Sequence, residues 1–476
     1  MSDVPVNSSM TFTDINNAVI AANLDDNIVF APGTYNLTGS LQISKRVNFI
    51  GAGEGSNPAV DTIIDMGGGA VARTIMVLAV GEVGNPIEIR NMRLQNAPSA
   101  MGIYMLNLSH VLIEDMYISG HNHGIEFHLG SISNVTCRRV TTYDCYIGVK
   151  NAATMVSDSL FEDCHFDDGT YGTYIDSDMS GATFNSCSFN RNGHKGMLIY
   201  YASDLLVDNC QIIDSGNNHG DSKPGGIDLG LKTGTHSNIA FTGMVIDNCG
   251  GGAYGNGFGA WLRARSDGYS GTATGITFSG DIRNCPVDAL KIGMADVTPK
   301  TFDVDVSNTF FSGNAAQAVL KDLRDATTTD VLSAQNCFWG QSGVPYGVKT
   351  GTGTPLVDPD TGLTTLVTGI GFETAVEDVI KFDPWSTTDR YALPDVPVRR
   401  DLSLGIPGGG DDSDSGQGTY EQAYWEGKQA FHGIDGKIKT IKAYGDALLP
   451  STSTNTGNPS QGTGLITNWD DRNNPL

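Results

Sequence analysis

The chain has 476 residues, 60 of them glycine, with 17% charged and 8% aromatic residues and a formal net charge of −24 at pH 7. Such acidity excludes a nucleic-acid partner or an anionic lipid surface, both of which need clustered Lys and Arg. No apolar run approaches ~18 residues, so no membrane insertion is expected, and glycine at this frequency suits short strands and tight turns rather than helices.

In chain order, MSDVPVNSSMTFTD carries neither a basic nor an apolar region, so no signal peptide is read. Thr13 or Asp14 is expected to cap a short helix with Ile15, Ala18, Val19 and Ala22 on one face, inside an N-terminal segment 1–26. Strand-like runs follow at Asn27–Phe30, Tyr35–Leu37, Leu41–Ile43, Val47–Ile50 and Thr62–Asp65, punctuated by Pro32–Gly33 and Gly51–Gly53. The series DNIVFAPGTY, then L-x-I-x-K-x-V-x-F-I-G-A-G, then TIID, resembles the opening of right-handed parallel β-helix proteins of the pectin-lyase-like superfamily. The resemblance implies an all-β right-handed solenoid over 27–390, its open end covered by the helix. The first coil has no neighbour to bury its interior or pair its edge, so a cap is needed.

Val111–Cys210 then repeats one pattern: an apolar alternating run, a polar turn, and a glycine opening a second run. Ile113, Cys137, Phe161, Phe184 and Val207 are equivalent positions, 24, 24, 23 and 23 residues apart, a period that marks a solenoid. The column Met92, Met116, Val140, Cys164, Cys187, Cys210 reads as an interior ladder of small apolar groups, with the thiols reduced. The eight cysteines show no CxxC spacing, and His165 should point outward, so no metal site is read. The His-bearing stretches GHNHG (Gly120–Gly124) and NHGD (Asn218–Asp221) are placed in turns.

Insertions at Ser215–Gly226, Gly250–Gly259 and Ser266–Gly275 interrupt the period, and insertions in solenoids fall on one face, often the binding face. The pair NCFWG (Asn336–Gly340) and VIKFDPW (Val379–Trp385) resembles the last coil and exit segment of bacterial and archaeal surface β-helix proteins. Residues 391–418 form a Pro-, Gly- and Asp-rich linker, and 419–476 a tail with Trp, Tyr and Phe too short for a core of its own. The tail is expected to engage a neighbouring subunit or another surface or virion protein.

Aligning Gly124, Gly148, Gly172, Gly196, Gly226 and Gly259 gives two outward columns. One reads Glu126, Lys150, Tyr174, Leu198, Asp228, Trp261; the other His128, Ala152, Asp176, Tyr200, Gly230, Arg263. Tyr174, Tyr200, Trp261, Arg263 and Arg265 are therefore candidates for a glycan face, since aromatic rings stack on pyranoses and polar groups read hydroxyls. Asp176 with Asp178, or with Asp228, is the carboxylate pair that glycoside hydrolysis would need. Arg263 or Lys232 would be the base for a β-elimination, alongside a cation held by Asp groups. No cofactor is required; a structural calcium ion stays open. The resemblance leaves lyases, hydrolases, esterases, adhesins and phage spikes in view, because this fold hosts them all. The paired carboxylates followed by G-H-G of polygalacturonases and the Arg-plus-Asp set of pectate lyases are both missing.

Three functions follow. The first is a non-enzymatic, glycan- or receptor-binding β-helix on a virion, as a tail spike, fibre or capsid turret, its acidity suiting a virus of halophiles. It would be a homo-oligomer, and a trimer by analogy with other viral β-helices. The second is a polysaccharide lyase or glycoside hydrolase. The third is a secreted cell-surface adhesin.

Overall fold

The computed structural model describes residues 2–386, less 69–71, 218–222, 253–255, 266–270, 294–301, 315–317, 325–330, 341–345, 350–353, 366–370, 375–379 and 384. The linker 391–418, the tail 419–476, His219 and parts of all three insertions lie outside the described residues.

The strands form two sheets, of 21 and 13 strands. Their ladders are parallel, because each coil returns the chain to the same edge one strand further on. The expected equivalences hold residue for residue: Ile113, Cys137, Phe161, Phe184 and Val207 pair in series and continue to Phe241 and Phe278. Register thus survives the insertions, since Val207 still pairs with Phe241 and Phe241 with Phe278. All seven side chains are buried, and Phe161 stacks on Phe184 with ring centroids 4.4 Å apart.

Six successive coils of the larger sheet turn one corner on a left-handed residue. The series is Asn91, Asp115, Arg139, Asp163, Ser186 and Asn209, with φ from 49° to 59°. Asn and Asp tolerate this backbone because their short side chains hydrogen-bond locally. The following residue points inward and forms the predicted ladder. All eight cysteines are free and buried. Their thiols donate to the preceding coil, Cys164 to Cys137 O at 3.4 Å, Cys187 to Phe161 O at 3.5 Å and Cys210 to Phe184 O at 3.5 Å. Burial pushes Cys137, Cys164, Cys187 and Cys249 well above the ordinary thiol range, and Cys145, Cys285 and Cys337 to about 12.

The N-terminus differs in detail. The helix α1 spans Phe12–Ala21 and its cap is Thr11, not Thr13 or Asp14. Asp14 instead completes a capping box, its carboxylate accepting from the Thr11 backbone N–H at 2.9 Å. Ile15 and Val19 bury their side chains against the first coil, as the helical spacing requires. A strand not read from sequence, Asp3–Val6, pairs in parallel with Asn27–Phe30. The expected strands Tyr35–Leu37 and Val47–Ile50 run instead from Gly33 to Asn36 and from Asn48 to Ile50.

The aligned glycines have a steric reason. A Cβ on Gly124 would sit 2.7 Å from Gly148 O, on Gly148 2.4 Å from Gly172 O, on Gly172 2.5 Å from Gly196 O, and on Gly226 2.4 Å from Gly259 O. Each glycine thus lets the next coil's carbonyl come close. Gly172→Ala is expected to destabilise the chain by about 1–3 kcal/mol, the cost of overpacking a fixed backbone. The shift in thermal midpoint measures it, and an unchanged midpoint would show that the coils can separate freely there.

Candidate functional site

The smaller sheet carries the candidate face. Its register places Glu126, Lys150, Tyr174, Leu198, Asp228 and Trp261 in one column, as expected, and extends it to Lys291 and Lys321. A second column, not foreseen, comes from the residue before each aligned glycine, His123, Ile147, Tyr171, Lys195, Gly225 and Phe258, and continues to Asp288, before Ala289. Strict alternation puts positions i and i+3 of a strand on opposite faces. Here the two columns meet: His123 Nδ1 lies 2.6 Å from Glu126 Oε2, and Lys291 Nζ 2.7 Å from Asp288 Oδ2. The rings of Tyr171 and Tyr174 are 5.5 Å apart, as are those of Phe258 and Trp261. The strand thus departs from strict alternation between these two positions, at Gly124 and equally at Ala289.

At the C-terminal part of the face, charges are paired and buried. Asp228 is 1% exposed and accepts from Arg263 Nη2 at 3.0 Å and Lys195 Nζ at 3.2 Å, with Arg263 2% and Lys195 5% exposed. Burial alone would raise the Asp228 pKa; the charges of Lys195 and Arg263 outweigh it and hold the carboxyl below its usual range. The Arg263 guanidinium lies 3.7 Å from the Trp261 ring centroid, and the indole Nε1 donates to Gly293 O at 2.7 Å. Trp261, Arg263 and Asp228 therefore form a buried knot, not the open sugar platform expected of them. Lys321 Nζ, 2.6 Å from Asp288 Oδ1, continues the row of cations.

The accessible part lies one to three coils earlier. Tyr171, Tyr174, Tyr200, Tyr201, Asp176, Lys232 and Arg265 are all partly exposed. Lys232 Nζ reaches Asp176 Oδ1 at 3.2 Å and sits 3.7 Å from the Tyr200 ring centroid. Arg265 stands 5.5 Å from the same ring. The Tyr174 and Tyr200 rings meet edge to face at 5.8 Å. Burial, then the nearby Asp176 charge, pushes the Tyr174 phenol above its ordinary range; burial and Asp228 do the same for Tyr200. Both remain neutral donors at physiological pH.

Asp178 does not join this face. The chain turns a corner after Asp176, where the Asn151 amide donates to Ser177 O and Asp178 O, each at 3.0 Å. Asp178 then begins a strand of the larger sheet, paired with Met155. The adjacent-carboxylate arrangement of Asp176 and Asp178 is thus absent. Asp176 and Asp228 stand two coils apart and in different columns, Asp228 in that of Tyr174, with Asp176 held by Lys232 and Asp228 by Lys195 and Arg263.

The GHNHG histidines are not in a turn, because His121–Leu129 is one strand. Burial lowers the His121 pKa to about 4, so this imidazole is neutral, held by Thr74 at 3.0 Å and Ser119 O at 2.8 Å. His123 and His128 both bind Glu126, one at each carboxylate oxygen, at 2.6 and 2.7 Å. Among the described residues no three His, Cys, Asp or Glu side chains are placed to hold a metal ion. None of their helices is long and apolar enough to cross a membrane.

The family described as "right handed beta helix region" matches residues 77–234 and again 156–311. No curated protein matches the sequence. Among solved structures, the alginate lyase of Paenibacillus sp. FPU-7 is 12% identical, covering 71% of this chain and 99% of its own, with a TM-score of 0.37. The catalytic unit of the α-1,3-glucanase of Streptomyces thermodiastaticus is 15% identical over 79% of this chain and 67% of its own, TM-score 0.44. The tailspike of Acinetobacter phage vb_AbaP_AS12 is 10% identical over 81% of this chain and 63% of its own, TM-score 0.37.

Proposed function

We propose that this right-handed parallel β-helix is a glycan-binding surface protein, displayed on a virion as a homotrimer, that holds a sugar chain on the outer face of its smaller sheet without cutting the backbone. The observation that carries this reading is the state of the two carboxylates on that face. Asp228 is locked between Lys195 and Arg263, and Asp176 is paired to Lys232. Glycoside hydrolysis needs one carboxyl group to donate a proton and a second to act from the other side of the bond, and both of these are committed to cations. What stays open is a row of tyrosines on successive coils, flanked by Lys232 and Arg265. Such a surface stacks on pyranose rings and reads an acidic or hydroxyl-rich chain. In a protein of net charge −24 this concentration of cations is local, which favours an anionic glycan. The linker 391–418 and tail 419–476 would join the subunits or other virion proteins.

A glycan array probed with the purified protein is the test, beside light scattering for the trimer and chromatography of incubated polysaccharides for cleavage. Binding that falls at least tenfold in the Tyr174→Ala, Tyr200→Ala double variant, with no shortened product, is the expected result. Backbone cleavage abolished by Asp176→Asn would replace this reading with a hydrolase.

A further inference from the structure

The N-terminal end of the same face holds a general base with no part in the binding just described. Glu126 is 2% exposed, and both its oxygens are occupied, one by His123 Nδ1 and one by His128 Nδ1. Burial raises its pKa; the hydrogen bonds from the two imidazoles outweigh this and keep it ionised. An ionised carboxylate can only accept, so each imidazole carries its proton on Nδ1. In that tautomer the Nε2 of His128 carries a lone pair, on a side chain 32% exposed.

The surroundings fix this ring. On the preceding coil Tyr104 packs against His128 at 4.8 Å between centroids, with the Arg73 guanidinium 4.1 Å over the tyrosine. On the following coil the residue after Asn151, which pairs with Phe127, is Ala152, so only a methyl group stands beside His128 on that side. Lys150, in register with Glu126, has no ion pair or hydrogen-bond partner among the described residues.

We propose that the outer face at His128 and Lys150 is an ester-hydrolysing site, with His128 as base, Lys150 as oxyanion partner, and an O-acyl group on a bound glycan as substrate. Its glycan specificity rests on the proposed function; its chemistry does not. His128 Nε2 removes a proton from water as the water oxygen bonds to the acyl carbon. The carbonyl π pair moves onto oxygen beside the Lys150 ammonium. Collapse restores the carbonyl and breaks the bond to the sugar oxygen, which takes the proton back from His128. The products are a carboxylic acid and a free hydroxyl. One imidazole serves both proton transfers, so the lack of a second free carboxylate is no obstacle. Glu126 and His123 are positioning residues that fix the tautomer.

Hydrolysis of p-nitrophenyl acetate and release of acetate from an O-acetylated polysaccharide test the site. The wild-type protein should turn over both, its kcat/KM rising with pH as a general base requires. His128→Gln should lose roughly 10²-fold or more and the pH dependence with it. Lys150→Met should lower kcat with little change in KM, and Glu126→Gln should shift the pH profile. A wild-type rate no higher than that of His128→Gln overturns the proposal. If His128→Gln does not fold, Lys150→Met, a surface change, decides in its place, an unchanged kcat being the overturning result. Glycan binding without hydrolysis of either ester refutes the site and leaves the binding face intact. Hydrolysis of the nitrophenyl ester with no glycan bound supports the site and removes the glycan reading.

Discussion

Asp228→Asn should weaken the smaller sheet by about 3–5 kcal/mol, because it leaves two buried cations facing each other without their anion. Lys195 and Arg263 both aim at Asp228 from within the buried face. Neither can reach water without moving the strands Lys195–Ile199 and Phe258–Ala264 that carry them. Asparagine keeps the shape and can accept a hydrogen bond, but it removes the charge that balances them. The loss should be local. Amide hydrogen exchange in Lys195–Ile199, Gly225–Leu231 and Phe258–Ala264 should quicken on the order of 10²-fold or more, while strands near the N-terminus keep their protection. Lys195→Met should cost less, since Asp228 keeps its contacts with Arg263. An exchange pattern unchanged by Asp228→Asn would mean that water reaches this knot.

Phe184→Ala is the second large effect, about 3–5 kcal/mol for an aromatic side chain removed from a packed core. Phe184 stacks face to face on Phe161 at 4.4 Å and meets Phe189 at 5.8 Å. The coils above and below are tied by backbone ladders at fixed spacing, so they cannot collapse into the cavity as loosely packed helices do. Urea unfolding measures the loss. A midpoint within experimental error of wild type would contradict so rigid a core.

The repeat made the core legible. A residue every 23 or 24 positions that is always apolar can only be an inward ladder, and the pairing from Ile113 to Phe278 follows it. The glycine column was equally plain, as were the residues two positions after it. What alternation concealed was the residue before each glycine. It assigns His123, Lys195 and Asp288 to the wrong side, whereas in the structure they lie beside Glu126, Asp228 and Lys291. Depth was also hidden: position on an outward column does not say that Asp228, Trp261 and Arg263 are covered. Asp178 was misplaced for a third reason, since a corner at Ser177 moves it to the other sheet, and a corner leaves only a weak trace in so polar a stretch.

The buried thiols also make the solenoid its own recorder. Nearly every coil from Cys137 to Cys337 holds at least one, and all are sealed while the coil is wound. An alkylating pulse would leave an intact stack unmarked and tag a coil only once it had opened. The order in which the eight sites acquire mass under rising denaturant would then report whether the stack frays from one end or ruptures in the middle, with no engineered probe.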